Sequence, residues 1–199
     1  MVLRALIVAA LLAAPAQQLG RSYEGRTIDV VHIAGTGKRI LVVGCIHGNE
    51  CEGIEVTRLL ARSHSTADLW LVHQLNPDGY ASRARANAHG VDLNRDFLAA
   101  TQRETRIARK LVLRLGPDVT IWFHQPQATV RAWGRSQATA RRYATLAGVP
   151  YRTLAWPPGS ASRWQNGIGQ ISFVVELPGG ELPDASARRY ADAVLQLAQ

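Results

Sequence analysis

Short apolar runs alternate with amphipathic stretches along this chain. The apolar runs are rich in β-branched residues and predict strands over residues 27–33, 39–45, 68–75, 118–124 and 171–177. Helical periodicity marks residues 53–63, 97–116, 136–148 and 184–198. This alternation predicts an α/β fold, a three-layer α/β/α sandwich around a mixed, largely parallel sheet. The GTGK turn between the first two apolar runs indicates a hairpin or adjacent strands.

The first residues carry a separate pattern. Arg4 precedes twelve apolar residues, 5–16, and Ala14-Pro15-Ala16 has the small-x-small form of a cleavage site. Twelve apolar residues are too few to span a bilayer, so they predict a secretory signal peptide over residues 1–16, with a buried N-terminal helix as the alternative. Residues 17–199 then form one domain with no stable membrane anchor, located in the periplasm, the cell-wall space or the medium.

Charge narrows the partners that this domain can have. The formal net charge is +8, and almost all of the positive charge comes from arginines that are scattered rather than gathered in a stripe. No basic patch interleaved with aromatic residues is visible in the sequence, so nucleic-acid binding is not predicted. The charge indicates instead a general affinity for anionic surroundings such as a cell wall.

Polar residues come at or just after the ends of four predicted strands. They are His47, Asn76, His124 and Glu176. Because ligands bind at the carboxyl ends of strands in open α/β sheets, we expect these residues to converge on one site. His47, Glu50 and His124 also supply the two imidazoles and one carboxylate of a catalytic zinc site, which leaves the fourth position to water.

The two cysteines bracket the first part of this candidate site. Cys45 and Cys51 lie on either side of His47 and Glu50, and an exported chain can form disulfides. The spacing alone does not decide between a disulfide and two independent thiols, because the turn between them sets the distance between their Cα atoms. Both states stay open at this point.

Five ordered motifs resemble those of the zinc carboxypeptidase family, also called funnelins, and in particular its small bacterial murein peptide amidase branch. They are HGNE (47–50), NPDGY (76–80), RANAHGVDLNRDF (85–97), FHQ (123–125) and VVELPGG (174–180). The resemblance implies a peptide-bond hydrolase with one zinc ion. It implies His47, Glu50 and His124 as the zinc ligands. The NPDGY motif itself predicts a turn, with Pro at its second position.

The same resemblance assigns two acidic side chains. Asp92 matches the carboxylate that orients the first zinc histidine, His47, by accepting its other ring N–H. Without the family, Asp92 is a cap of the turn after Gly90. Glu176 matches the general base, which takes a proton from water and passes it to the departing amine. The alternative for Glu176 is a buried ion pair with an arginine.

Three further positions match residues that handle charge on the substrate. Arg85 matches the arginine that stabilises the oxyanion as water attacks the carbonyl. Asn94 and Arg95 match the pair that binds the free carboxylate of the substrate, a task that suits a planar guanidinium. The alternative for all three is a solvated, arginine-rich loop.

The chain also departs from the family pattern. Large carboxypeptidases carry a mobile tyrosine near the segment that matches residues 151–164, and the sequence does not identify its counterpart, for which Tyr151 is a candidate. Asp96 stands where asparagine is more usual. In the segment that matches the specificity pocket, we expect Arg163 to meet a second substrate carboxylate, with a solvent-facing side chain as the alternative.

These observations predict a secreted, monomeric zinc hydrolase that cuts amide bonds next to a free carboxylate. Its expected partners are peptides, namely peptidoglycan fragments, cut between γ-linked D-glutamate and a diamino acid. The alternatives are a conventional carboxypeptidase, a deacylase resembling succinylglutamate desuccinylase and aspartoacylase, and a catalytically inactive wall-binding module. The GVDLNR and VVELPGG motifs favour the peptidase over the deacylase, and the complete set of ligands and base disfavours the inactive module.

Overall fold

One mixed sheet of eight strands organises the computed structural model, which describes residues 15–199. The strands are β1 (Ala16–Arg21), β2 (Thr27–Ile33), β3 (Arg39–Val43), β4 (Asp68–Val72), β5 (Val119–His124), β6 (Gln127–Ala132), β7 (Tyr151–Thr153) and β8 (Ser172–Pro178). Their order across the sheet is β1-β2-β4-β3-β5-β8-β6-β7. The four central strands β4, β3, β5 and β8 are mutually parallel, so their carboxyl ends meet at one edge of the sheet.

Helices cover both faces of this sheet. They are α1 (Gly53–Leu60), α2 (Pro77–Ser82), α3 (Arg103–Leu115), α4 (Gln137–Ala147), α5 (Ala161–Gly167) and α6 (Asp184–Leu197), with 3-10 turns at Leu93–Arg95 and Gly134–Ser136. On one face, Leu111 and Val112 of α3 lie beside Trp122 of β5. On the other face, the ring of Phe123 meets Tyr190 of α6, and α1 and α4 both contact α6. The α/β prediction is confirmed.

The central strands follow directly from the sequence. Every residue of β5 is buried, and so are Ile40 to Val43 of β3. A parallel strand covered by helices on both faces needs apolar side chains on both, so it is read from the sequence as a continuous apolar run. These strands bring their polar terminal residues to the shared edge.

The predicted hairpin over residues 27–45 is wrong. β2 pairs antiparallel with β1 and β4, and β4 lies between β2 and β3. The NPDGY motif is also a short helix, α2, rather than a simple turn, because Asn76 caps it and Pro77 occupies its first position, where a missing N–H costs nothing. The strands β1, β6 and β7 were not predicted.

The helix predicted over residues 97–116 begins only at Arg103, and Asp96 explains why. Its buried carboxylate accepts hydrogen bonds from the backbone N–H groups of Thr101 and Gln102 and from the Thr101 hydroxyl, at 2.7 to 2.9 Å. These bonds hold the chain in a loop before the helix starts. They also lower the pKa of Asp96, against the effect of its burial. The unusual aspartate at this position therefore supports the loop that carries Arg95.

The structure describes only the last two residues of the predicted signal peptide. The signal peptide predicted over residues 1–16 lies outside the described residues except for Pro15 and Ala16, and it stays a prediction. Within residues 15–199, no helix is both long and apolar enough to cross a membrane.

Candidate active site

The loop after β3 presents His47 and Glu50. Cys45 and Cys51, whose pairing the sequence left open, form a disulfide across this loop, with their Cα atoms 4.6 Å apart. The next residue after His47 is Gly48, whose backbone lies against that of Gly79 in α2. A Cβ at Gly48 would come within 1.9 Å of the Gly79 carbonyl carbon, so only glycine permits this contact. The disulfide therefore joins the two ends of the loop, and the contact between Gly48 and Gly79 packs the loop against α2.

Three donor atoms converge beside this loop. His47 Nδ1 and Glu50 Oε2 are 3.1 Å apart, His124 Nδ1 and Glu50 Oε2 are 3.0 Å apart, and the two Nδ1 atoms are 3.1 Å apart. Tetrahedral zinc ligands with metal–donor distances near 2.1 Å lie roughly 3.4 Å from one another. Two nitrogens and one carboxylate oxygen in this triangle fit a zinc ion on one open side.

Asp92 fixes the tautomer of His47. Its Oδ1 accepts the Nε2–H of His47 at 2.8 Å, which leaves the Nδ1 lone pair facing Glu50 and His124. The same Oδ1 accepts the backbone N–H of Asn94 at 2.8 Å. The two interpretations of Asp92, as a partner of His47 and as a turn cap, are therefore both present in one carboxylate.

The protonation states of His124 and Glu50 suit a cation-binding site. Burial lowers the pKa of His124 to about 4, so this imidazole is neutral at pH 7. Burial alone would raise the pKa of Glu50, but its hydrogen bonds to His124 and His47 hold that pKa far below its ordinary value. Burial also opposes protonation of His47, although its bonds to Asp92 and Glu50 outweigh this and raise its pKa. A carboxylate beside a neutral imidazole is the form that ligates a metal.

Arg85 lies beside the triangle and binds the carboxylates of Glu50 and Asp92. Its Nη1 donates to Glu50 Oε1, and its Nε donates to Asp92 Oδ2 at 3.1 Å. Asn76 supports this arrangement from behind, because its Nδ2 donates to the backbone carbonyl of Arg85 at 3.4 Å. Asn76 does not line the cavity, so the expectation that it converges with the other strand-end residues is wrong. Its Oδ1 caps α2 by accepting the N–H of Gly79.

A cavity of about 280 Å³ opens over the three donor atoms. The residues that line this cavity include the charged, imidazole, amide and indole side chains of His47, Glu50, Arg85, Asn94, Arg95, His124, Arg131, Trp156 and Glu176. The Oδ1 of Asn94 accepts the N–H of Ala161 at 2.9 Å, which turns its Nδ2 toward His124 Nε2 at 3.5 Å. Arg95 donates from Nη1 to the Asn94 carbonyl at 2.8 Å. The structure thus brings Asn94 and Arg95 to the wall of this cavity.

Glu176 lies in β8, directly beside His124 in the parallel register. It is 5% exposed, and its Oε1 accepts a hydrogen bond from Arg131 Nη1 at 2.9 Å. Its Oε2 is buried without a hydrogen-bond partner among the described residues. Burial raises the pKa of Glu176 although Arg131 opposes the shift. The buried ion pair that we weighed as the alternative is present, and it lies inside the same cavity.

Two expected residues are not in this cavity. Arg163 donates to the Trp156 carbonyl at 3.2 Å and lines a separate groove, so the expectation that it meets a substrate carboxylate here is wrong. Tyr151 lies in β7, with the Arg141 guanidinium 4.5 Å above its ring, and does not reach the cavity either. Trp156, which is 5% exposed, lines the wall in this region instead.

The sequence reasoning missed Arg131 and Trp156. The signal for Arg131 was the alternation of Gln127, Thr129 and Arg131, which places three polar side chains on one face of a strand. Nothing in the sequence pattern distinguished Trp156 from an ordinary apolar residue of the segment.

Comparison with known proteins gives consistent matches. The sequence model of the zinc carboxypeptidase family matches residues 13–111. Murein peptide amidase A of Escherichia coli K12 is 27% identical over 185 residues, covering 74% of each chain. Carboxypeptidase Z of Mus musculus is 28% identical over 151 residues, covering 59% of this chain. The chain spans about a fifth of the carboxypeptidase Z sequences that it matches, 22% for the mouse protein.

Solved structures share the fold. Murein-tripeptide amidase from Escherichia coli O157 superposes with a TM-score of 0.77 at 23% identity, covering 96% of this chain and 93% of that one. A succinylglutamate desuccinylase from Silicibacter superposes with a TM-score of 0.72 at 20% identity, covering 87% of this chain and 60% of that one. At these identities the superpositions establish the architecture alone.

Proposed function

This chain belongs to the zinc carboxypeptidase family, and on that premise we propose that it is a zinc-dependent hydrolase that cuts an amide bond beside a free carboxylate. One observation carries the proposal. The His–Glu–His donor triangle and a buried carboxylate oxygen without a partner, Glu176 Oε2, face the same cavity. A buried carboxylate oxygen without a hydrogen-bond partner costs free energy of folding, so its presence in a cavity indicates a role in binding or catalysis.

The donor set assigns the metal ligands. His47 Nδ1, Glu50 Oε2 and His124 Nδ1 would hold one zinc ion, with Asp92 keeping His47 in the required tautomer. Zinc bound there supplies Lewis acidity, which polarises a carbonyl and lowers the pKa of a nearby water. Arg85, through Glu50 Oε1, holds the remaining carboxylate oxygen away from the other donors.

Glu176 then performs the proton transfers. Its Oε2 accepts a proton from the attacking water as the new C–O bond forms, and it delivers that proton to the amide nitrogen as the C–N bond breaks. The hydrogen bond from Arg131 to Oε1 orients the carboxylate so that Oε2 is the free atom. Arg85 stabilises the negative charge that develops on the carbonyl oxygen, and Asn94 Nδ2 with Arg95 binds the free carboxylate of the substrate.

We further propose that the substrates are murein stem peptides and that the bond cut joins γ-linked D-glutamate to a diamino acid. Three observations support this choice: similarity to murein peptide amidase A over 74% of the chain, a cavity with more cationic than anionic side chains, and a secretory pattern over residues 1–16. The proposed location is outside the cytoplasm, and the proposed form is a monomer that binds peptidoglycan fragments.

The decisive experiment combines metal analysis with a substrate panel. The zinc content of the purified full chain is measured, and the protein is then incubated with a murein tripeptide, with ordinary peptides ending in L-residues, and with N-succinylglutamate and N-acetylaspartate. We expect about one zinc per chain and cleavage of the murein tripeptide. Cleavage of only the L-peptides would make the protein a conventional carboxypeptidase, and cleavage of only the acylated amino acids would make it a deacylase. No cleavage by zinc-loaded protein would overturn the proposal.

A further inference from the structure

The charges that line the active-site cavity do not balance. Three arginines, Arg85, Arg95 and Arg131, face two glutamates, Glu50 and Glu176. Arg85 binds Glu50 and Asp92, and Arg95 donates to the backbone carbonyl of Asn94. Arg131 is the least exposed of the three, since only 16% of its side chain is accessible against 43% for Arg85, and Arg95 is exposed. The anionic partner of Arg131 among the described residues is Glu176, and a guanidinium at the wall of a cavity can bind a second carboxylate as well.

Arg131 has spare hydrogen-bonding capacity. Both of its hydrogen bonds, to Glu176 at 2.9 Å and to Gln127 at 3.3 Å, come from the same nitrogen, Nη1. Its Nε–H is buried without a partner among the described residues. A guanidinium carries five N–H donors and suits a carboxylate that accepts two of them. The single bond to Glu176 therefore leaves most of this group available.

The sheet register places Arg131 on the strand next to Glu176 and further from the carboxyl edge of the parallel strands. Across the sheet edge the order is β3, β5, β8, β6, so Arg131 lies one strand beyond Glu176. In the β6–β8 pairing Arg131 is opposite Val174, two residues before Glu176 in β8. Two residues of a strand span roughly 7 Å, so Arg131 is further inside the fold than the base. A side chain that points inward from the reacting amide would reach it.

We propose that Arg131 is the specificity-determining residue of this enzyme, selecting substrates whose terminal residue bears a second carboxylate on its side chain. The inference rests on the proposed function, because it assumes that the cavity binds the residue released by hydrolysis. Asn94 and Arg95 take the first carboxylate, and Arg131 takes the second. This is the role that the sequence had suggested for Arg163, which lies outside the cavity.

The ligand chemistry, a dicarboxylic terminal residue, has two sources that the experiment separates. One is a diamino dicarboxylic acid at the end of a murein stem tripeptide, and the other is an ordinary C-terminal glutamate. The first matched pair is therefore a stem tripeptide ending in diaminopimelate and the same tripeptide ending in lysine, which lacks only the second carboxylate. The second pair is a blocked dipeptide ending in glutamate and its glutamine counterpart.

The test compares these pairs in the zinc-loaded wild type, Arg131→Gln, Arg131→Lys and the control Arg163→Gln. We expect the wild type to prefer the dicarboxylic member of at least one pair by about tenfold to a hundredfold in kcat/KM, mainly through KM. Arg131→Gln should bring that ratio near one, Arg131→Lys should restore part of it, and Arg163→Gln should leave it unchanged. The responding pair identifies the source.

A role of Arg131 confined to orienting Glu176, without contact to the substrate, would give a different result. Arg131→Gln would then lower kcat for both members of each pair by the same factor and leave their ratio at the wild-type value, which would overturn the specificity proposal. A wild type without any preference for the dicarboxylic member would overturn it as well.

A binding measurement separates this proposal from the proposed function. Diaminopimelate and lysine, and glutamate and glutamine, are titrated calorimetrically into the zinc-loaded wild type and Arg131→Gln proteins. Tighter binding of a dicarboxylic ligand that is lost in Arg131→Gln supports the assignment even when no peptide is hydrolysed. Equal affinity of both proteins for every ligand overturns it, whether or not peptides are cut.

Discussion

The two sides of the active-site cavity bury polar groups in opposite ways. On the side formed by His47, Glu50 and Asp92, every buried side-chain nitrogen or oxygen of these residues has a hydrogen-bond partner. A disulfide also spans the loop that carries His47 and Glu50. On the side formed by Arg131, Trp156 and Glu176, each residue has one buried polar atom without a hydrogen-bond partner among the described residues. The comparison indicates that the metal side is preorganised by the protein, whereas the other side is completed by what it binds.

The largest expected difference between the two sides is the difference in zinc content and turnover between the variants His124→Ala and Glu176→Gln. His124→Ala removes a donor from the triangle, so bound zinc should fall from about one equivalent to near zero after dialysis. Glu176→Gln keeps the donors and the fold but removes the base, so zinc content should stay unchanged while kcat drops by about 10²- to 10⁴-fold. Elemental analysis and steady-state kinetics measure both effects. A Glu176→Gln protein with near-normal turnover would remove this residue from the mechanism.

Asp92 tests how far the metal side depends on its supporting hydrogen bonds. In Asp92→Ala the Nε2–H of His47 loses its acceptor, so the Nδ1 lone pair is no longer fixed toward the other donors. We expect zinc affinity to fall by about 10- to 100-fold, measured by competition with a chelator. Asp192→Ala, at an exposed position of α6, is the matched control and should retain wild-type affinity. Equal affinity of both variants would show that the tautomer of His47 is set elsewhere.

The disulfide is expected to have a smaller effect on the same side. A bridge that closes a loop of this length lowers the entropy of the unfolded chain, which corresponds to about 2 kcal/mol of stability. Reduction, or the Cys45→Ser/Cys51→Ser double variant, should lower the free energy of unfolding by this amount and weaken zinc retention. Urea titration and metal analysis measure the two consequences. Mass spectrometry of the unreduced protein showing two alkylatable thiols would contradict the bridge.

Asp96 gives the smallest predicted effect, and one that depends on pH. Its pKa is lowered in the folded state, so its stabilising contribution is present above the ordinary aspartate value and disappears as the pH falls through the folded-state value. In Asp96→Asn an amide N–H would face the N–H of Gln102, so we expect a loss of about 1 kcal/mol at pH 7. The difference between the variant and the wild type should shrink toward pH 3 in urea titrations. A difference that is constant with pH would mean that the charge is not involved.

How much the sequence could predict differs along the sheet. The central strands were predicted because both of their faces are buried, and the strand-end histidines and Glu176 followed from them. The strands β1, β6 and β7 are short or polar, with sequences AQQLGR, QATVRA and YRT, and they are held by backbone pairing at the sides of the sheet. Apolar patterning does not detect such strands. Arg131 was missed because the polar alternation of β6 indicates one face of a strand but not what that face contacts, which is set by the pairing of β6 with β8.

Asn76 and Arg163 were misplaced for a related reason. Position at the end of a strand or within a matching segment does not fix where a side chain points. Asn76 follows β4, but its amide is taken up by the start of α2 and by the carbonyl groups near Arg85. Arg163 lies in the first turn of α5, and its guanidinium folds back to the Trp156 carbonyl rather than into the cavity. Such local backbone bonds become visible only once the turn geometry is known.

The strand order also places Glu176 on the last strand of the sheet to be synthesised. All three candidate metal donors are synthesised by residue 124, but the proposed base lies in β8, which inserts between β5 and β6. Until β8 is available, β6 and β7 have no connection to the rest of the sheet, and β5 has a bare edge. The strand that completes the fold therefore brings the proton-transfer group with it. A chain that ends before β8 would contain all three candidate metal donors but would lack the proposed base.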